Sequence, residues 1–359
     1  MSPIITGFRA RPVFAPLERP ITTAQVAIQK APLVLIDIET DQGITGRNYI
    51  FGYSPYALQA LTAFTNEWGA SLIGKTVSPQ ARAADAQQQF HLIGRSGLVG
   101  MALSGIDVAL WDAHAQANEC SVAALFGAAD IALPCYDSQG VFVLGRDEPL
   151  LEDTLARGFK AVKFKLGFET AAQDVEALQV IRSMIGPVMP LMLDFNQTLA
   201  APEAIRRIKI FEDKGIDLTW IEEPVPAEDF AGYQAIRAAV STPLQSGENW
   251  WNPADAARAI QAGTTDFAMP DMMHIGGFSG WFRAAAMAEA AAIPISSHLF
   301  VEASAHALAA TPNRHYLEYL DICGALLAEP YELENGTLRA RGAGLGITWN
   351  EDAVTMHRA

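Results

Sequence analysis

The chain has 359 residues, half of them hydrophobic and 18% charged, which suits two domains or one large barrel with attachments and excludes the disordered class. Forty acidic residues against 25 basic ones leave a net charge of −15, a sign that repels phosphate backbones and anionic lipid, so nucleic-acid and membrane-surface binding are excluded. Cys120, Cys135 and Cys323 are odd in number and widely spaced, so they form neither a disulfide framework nor a zinc site; with no secretory h-region and no ~18-residue apolar run, a cytoplasmic protein is expected.

From Ile4 to about Ile50 the pattern is strand-like, over Ile4 to Phe14, Leu33 to Ile38 and Arg47 to Phe51, with a turn at Asp41-Gln42-Gly43. This predicts an antiparallel meander. Residues 55 to 126 change to helical spacing, with Pro55 and Pro79 placed as first-turn residues and Ile106, Leu110 and Ala113 on one stripe. Strands followed by helices predict an α+β domain over 1–126.

Beyond it a short apolar run ending in a polar residue alternates with a helical stretch. The eight runs are Pro134 to Ser138, Ala161 to Lys165, Leu191 to Asp194, Thr219 to Glu222, Leu244 to Glu248, Phe267 to Asp271, Ile293 to His298 and Tyr316 to Glu318. Their ends stand 20 to 29 residues apart, about one βα unit each time. Eight such units close most economically into a (β/α)8-type barrel, whose active site lies where the strands' C-terminal ends converge. Lys165, Asp194, Glu222, Glu248, Asp271, His298 and Glu318 all sit at those ends. Like charges so crowded repel unless a cation and some protonation relieve them, so the set implies a metal.

Asp194, Glu222 and Glu248 end three consecutive strands and offer oxygen alone, the donor set of a hard cation: Mg2+ first, Mn2+ second. Alternation gives Glu222 and Trp220 one face and Glu223 the other. In AVKFKLG, Lys163 and Lys165 share a face. Each ammonium disfavours the other's charge, so the pKa of Lys165 is expected to fall toward that of a general base. Asp271 and His298 end successive strands, as an Asp–His pair would, with the carboxylate orienting the imidazole as a second acid/base group. His306 and His315 read as core histidines, and the Ala-rich 283–292 stretch as a helix outside the barrel.

The segments AVKFKLG, LDFNQ, WIEEP, SGENW, AMPDMMHIGG, SSHLF and HYLEYLD, in this order, resemble the mandelate racemase subgroup of the enolase superfamily over essentially the whole chain. The resemblance implies an α/β fold, a modified TIM barrel of (β/α)7β type over 127–322. It also implies that 1–126 is a capping domain with a substrate-covering loop near 17–32, and that 323–359 returns to the cap. It implies abstraction of the proton α to a carboxylate, with the enediolate held at Mg2+. Lys165 would serve one face of the substrate and His298 the other, Lys163 would bind the carboxylate, and a protonated Glu318 would donate to its other oxygen. Asn196 and Ser138 become candidates for the α-hydroxyl and the carboxylate. Two opposed bases allow racemisation; the same constellation dehydrates a substrate with a β-hydroxyl. Val26 and Ile28 in the covering loop, and Leu320, favour an apolar or aromatic side chain, and Lys30 is the one cation seen between Pro20 and Pro32. A homo-oligomer, an octamer in the resembled family, is expected. Two departures stand near the mouth: His274 where the family's DxxKxGG run has Lys, and Gln139 after Ser138 where it has His.

Overall fold

The computed structural model describes residues 2–22 and 27–359. The opening meander is present as β1 (Ile5–Thr22), β2 (Ala27–Thr40) and β3 (Thr45–Phe51), antiparallel in that order. Four helices follow: α1 (Pro55–Ala70), α2 (Pro79–Gln89), α3 (Gly97–Ala117) and α4 (Val122–Leu125). Pro55 and Pro79 do occupy first turns, where the missing N–H costs nothing. Helix α3 packs on β3, and Gly105 permits the close approach, because a Cβ there would lie 2.5 Å from Ile50 Cγ1.

The barrel strands are β4 (Leu133–Val141), β5 (Val162–Lys165), β6 (Leu191–Asp194), β7 (Trp220–Glu222), β8 (Leu244–Ser246), β9 (Phe267–Ala268) and β10 (Leu317–Tyr319). They are parallel, in the order β10-β4-β5-β6-β7-β8-β9. The helices between them are α5 (Glu148–Ala156), α6 (Ala171–Ile185), α7 (Ala201–Asp213), α8 (Phe230–Ala239), α9 (Pro253–Ala262), α10 (Gly277–Ala290) and α11 (Val301–Ala309). The expected strand at Ile293 to His298 is reduced to isolated parallel bridges, from Ile295 to Ala268 and to Arg314 and from His298 to Asp271. Pro294 has no N–H to give a ladder, and Ser297 uses its hydroxyl to accept from Glu318 N. This segment nonetheless stands between β9 and β10, so the ring is complete.

Alternation along the strands separates two layers. Tyr136, Ala161, Met192 and Trp220 fill the barrel interior, whereas Val162, Phe164, Leu191, Leu193, Ile221 and Leu244 face outward. The outward set packs on Leu178, Ile181, Ile208, Phe211 and Ile236 of the surrounding helices. The inward positions nearest the C-terminal ends are therefore free for polar chemistry. Helix α10, which carries most of the Ala-rich stretch, buries Ala284, Ala285 and Ala288.

The last segment, with β11 (Thr337–Leu338) antiparallel to β4 and α12 (Glu351–Met356) at the end, contacts the cap. Trp349 donates from Nε1 to Asp37 Oδ1 at 2.8 Å, and Arg11 donates to Glu351. Buried Asp112 of α3 joins three segments, accepting from Arg47 N at 2.7 Å, Gln116 Nε2 at 2.7 Å and Leu345 N at 2.6 Å. Gly344 has φ +65 and a Cβ there would fall 2.0 Å from Asp112 Oδ1, so the GAGLGI run is glycine-rich to let the chain reach this carboxylate. All three cysteines are free thiols. Among the described residues no helix is long and apolar enough to cross a membrane.

Candidate active site

Parallel register sets the mouth. Lys165 pairs with Asp194, Asp194 with Glu222, and Glu222 with Gln245 three residues before Glu248. Lys165 Nζ lies 2.5 Å from Asp194 Oδ2, and Asn196 binds the same carboxylate through its backbone N–H at 2.7 Å and Nδ2 at 2.9 Å. Lys163, one pleat deeper and 1% exposed, donates to Glu222 at 2.7 and 2.9 Å and lies 2.9 Å from Glu318 Oε1. Across the ring, His298 Nδ1 is 2.6 Å from Asp271 Oδ2, while its Nε2 stands 3.2 Å from Glu248 Oε2 and 4.0 Å from Glu318 Oε2. Leu299 N donates to Glu318 at 2.8 Å. Leu299 and Phe300 adopt φ +49 and +47, which aims the chain from the short strand into α11 directly after His298.

Three charges differ from the expectations of the sequence. Burial is the largest influence on Lys165 and works to lower its pKa, but Asp194, Glu248 and Glu222 together outweigh it, so the group is raised rather than lowered. Glu318 is not held neutral: burial favours its acid form, yet Lys163 and His298 keep it well below the usual carboxylate range. Glu222 is the group pushed up instead, to about 8, by burial, resisted by Lys163 and reinforced by Asp194, Glu248 and Glu318. His298 is raised to about 10, since Glu248, the Asp271 hydrogen bond and Glu318 overcome the desolvation that would lower it. Burial and the neighbouring Glu248, Asp194 and Glu222 raise Glu223 well above its ordinary value.

The carboxylates do not form a ready-made cage. Among the described residues no group of three His, Cys, Asp or Glu side chains is placed to hold a metal ion. The reason is electrostatic: Asp194 is drawn to Lys165, Glu222 to Lys163 and Glu248 to His298. The donor set still fits a hard cation. Asp194, Glu222 and Glu248 supply only oxygen, and the buried Glu223 Oε1 and Gln245 Oε1 lack any hydrogen-bond partner. A divalent ion would relieve the mutual repulsion of these carboxylates that helps to raise Glu222.

Lys165 opens into a cavity of about 450 Å³ between cap and barrel, lined also by Ser138, Ile21, Gln29, Phe164 and Leu320. Ser138 and Leu320 thus both border the cavity that Lys165 opens into. Ile28 pairs with Ile21 in the β1–β2 ladder and packs half-buried on the core. Val26 lies outside the described residues.

Sequence reasoning missed two polar groups. Arg19, inside the covering segment, lines the cavity and donates to buried Asp137 at 2.7 and 3.2 Å, so Lys30 is not that segment's only cation. Tyr53 donates to Asp271 Oδ2 at 3.1 Å from the turn after β3, where its φ is +56. No local pattern marks either contact, since each joins residues more than 100 positions apart. The two departures also find places. Gln139 donates to Asp137 at 2.6 Å and Thr154 at 2.9 Å. His274 lies against Trp251, with ring centroids 4.1 Å apart, and its Nδ1 is 2.7 Å from the Glu248 carbonyl oxygen. His306, between Ala123 N and Tyr331 Oη, is a core histidine, as is His315 beside Phe267 and Trp220.

Comparison with known proteins agrees with this arrangement. The family model for the mandelate racemase / muconate lactonizing enzyme N-terminal domain matches residues 5–127, and the enolase C-terminal domain-like model matches 148–353. A Bradyrhizobium enolase crystallised with magnesium and mandelic acid is 45% identical, with a TM-score of 0.97, over 100% of this chain and 99% of that one. L-Talarate dehydratase from Polaromonas sp. JS666, crystallised with Mg and L-glucarate, is 29% identical with a TM-score of 0.90, over 100% of this chain and 98% of that one. The L-talarate/galactarate dehydratase of Salmonella typhimurium is 30% identical, covering 95% of this chain and 87% of its own length. With both domain models matched and the lysine, carboxylate and histidine strand ends gathered at one mouth, the chain belongs to the mandelate racemase / muconate lactonizing enzyme family of the enolase superfamily.

Proposed function

We propose that this protein is a Mg2+-dependent racemase that inverts the α-carbon of a 2-hydroxy acid with an apolar or aromatic side chain. The observation that carries the reading is the placement of two proton-transfer groups on well-separated staves of one ring: Lys165 on β5, and His298 three staves away beside Asp271. The magnesium and mandelic acid in the Bradyrhizobium relative support it. Asp194, Glu222 and Glu248 would hold the ion, which when bound supplies positive charge for the substrate carboxylate.

The chain's own residues then do the rest. Lys163, buried and triply bonded to carboxylates, places a fixed ammonium beside the carboxylate of the substrate. Lys165 takes or returns the α-proton on one face. His298, held by Asp271 in one orientation, does so on the other. A single base contributes ~10²–10⁴ in rate, so stabilising the enediolate charge must supply most of the acceleration.

A second reading, dehydration of a sugar acid by the same two groups, is favoured by the cavity wall, where Glu18, Arg19, Gln29 and Arg146 line the space alongside Ile21 and Leu320. Incubation in D2O with mandelates and sugar acids, followed by NMR, separates the two. Deuterium at the α-carbon with scrambled configuration supports the racemase; a 2-keto-3-deoxy product refutes it in favour of the dehydratase.

A further inference from the structure

We propose that Arg19 is a positioning residue that docks cap residues 17–22 onto β4, and thereby selects which carboxylates fit the cavity beside Lys165. This rests on the reading of that cavity as the substrate site. The β1–β2 ladder is broken between Pro16 and Ile21, so Arg19 leaves the cap sheet where the chain reaches the barrel. Its guanidinium grips both oxygens of Asp137, a fully buried carboxylate on the outer face of β4. Asp137 is held in turn by Gln139 Nε2 at 2.6 Å and by Thr154 Oγ1 of α5 at 2.5 Å. The acceptor is therefore fixed before the arginine arrives.

A second tie lies three residues further on. Thr22 Oγ1 accepts from Val141 N at 3.1 Å, and Gly140 makes room for it, since a Cβ there would stand 2.0 Å from that oxygen. Between the two ties, Pro20 and Ile21 form one wall of the cavity, with Glu18 and Thr22 beside them; Ser138, next to Asp137, forms another part. A buried ion pair contributes little net stability, but a bidentate arginine–carboxylate pair adds geometric specificity. Here the geometry it fixes is the distance between the cap wall and Lys165. The same arrangement explains Gln139, which serves the carboxylate that receives Arg19.

The test uses the full-length enzyme with Mg2+ in Arg19→Ala, Gly140→Ala and the double variant Arg19→Ala/Asp137→Asn. The double variant removes both charges and so leaves no stranded carboxylate if the single one folds poorly. For whichever carboxylate the wild type deuterates, KM should rise at least tenfold in each variant while kcat stays within threefold. Guanidinium ion at millimolar concentration should partly restore KM in Arg19→Ala and leave Gly140→Ala unchanged. Unaltered KM, or a matching fall in kcat without rescue, would overturn the assignment. Hydrogen exchange of amides 17–22 is read in parallel and needs no substrate. It should quicken at least tenfold in the variants, and unchanged exchange would also overturn the proposal. A wild type that deuterates no carboxylate would refute the proposed function, while this exchange still decides whether Arg19 docks the segment.

Discussion

Asp112→Asn tests how the cap is tied to the rest of the chain. Asp112 is buried, and burial pushes its carboxyl up to about 7, against the hydrogen bonds from Arg47, Leu345 and Gln116 and the charge of Arg47. A carboxyl raised on folding stabilises the fold below its unfolded value of 3.8 and loses that contribution as pH rises through 7. By linkage the ionised group disfavours the fold by roughly 2 kcal/mol at pH 5 and roughly 4 kcal/mol at pH 8. The wild type should therefore lose roughly 2–3 kcal/mol from this residue between those pH values. Asparagine cannot ionise, so this slope should vanish in the variant. It should also carry a uniform deficit of ~1–3 kcal/mol, because one of the two backbone N–H groups of Arg47 and Leu345 loses its acceptor. Urea denaturation of both proteins at pH 5, 6, 7 and 8 gives the difference directly. Asp107 and Glu302, also raised to about 7, are present in both and cancel. Parallel pH profiles for wild type and variant would refute the reasoning.

Removing divalent metal with a chelator should abolish α-proton exchange and lower the melting temperature, and Mg2+ should restore both; full exchange in metal-free protein would exclude the Asp194, Glu222 and Glu248 site. Asp271→Asn should slow proton transfer on the His298 face ~10²–10⁴-fold, because the imidazole at 2.6 Å loses the negative charge that supports its protonated form, while leaving the Lys165 face within a few fold. Face-resolved deuterium incorporation from each enantiomer measures this, and equal losses on both faces would contradict it.

What the sequence revealed follows a physical division. Lys165, Asp194, Glu222, His298 and Glu318 were legible because strand alternation and βα spacing place side chains without knowledge of distant contacts. The strand at Ile293 to His298 was legible in position but not in form, since Pro294 and the Ser297 hydroxyl replace ladder bonds with bridges. Charge states were misread. The Lys163–Lys165 repulsion is local and visible in KFK, whereas Asp194 and Glu222, which reverse it, arrive from strands 29 and 59 residues away. Arg19 and Tyr53 were missed for the same reason, for they act on Asp137 and Asp271 across 118 and 218 residues. Gly344 of the GAGLGI run leaves room for Asp112, a contact no local pattern marks.

The central claim is that two groups serve opposite faces of one carbon, and the measurement that bears on it most directly is enantiomer-resolved α-deuteration by Lys165→Ala and His298→Asn in D2O with Mg2+. Each variant should racemise nothing and still exchange the α-proton of one enantiomer, the opposite one in each case. Variants that both continue to exchange both enantiomers, or that both lose the same one, would contradict it.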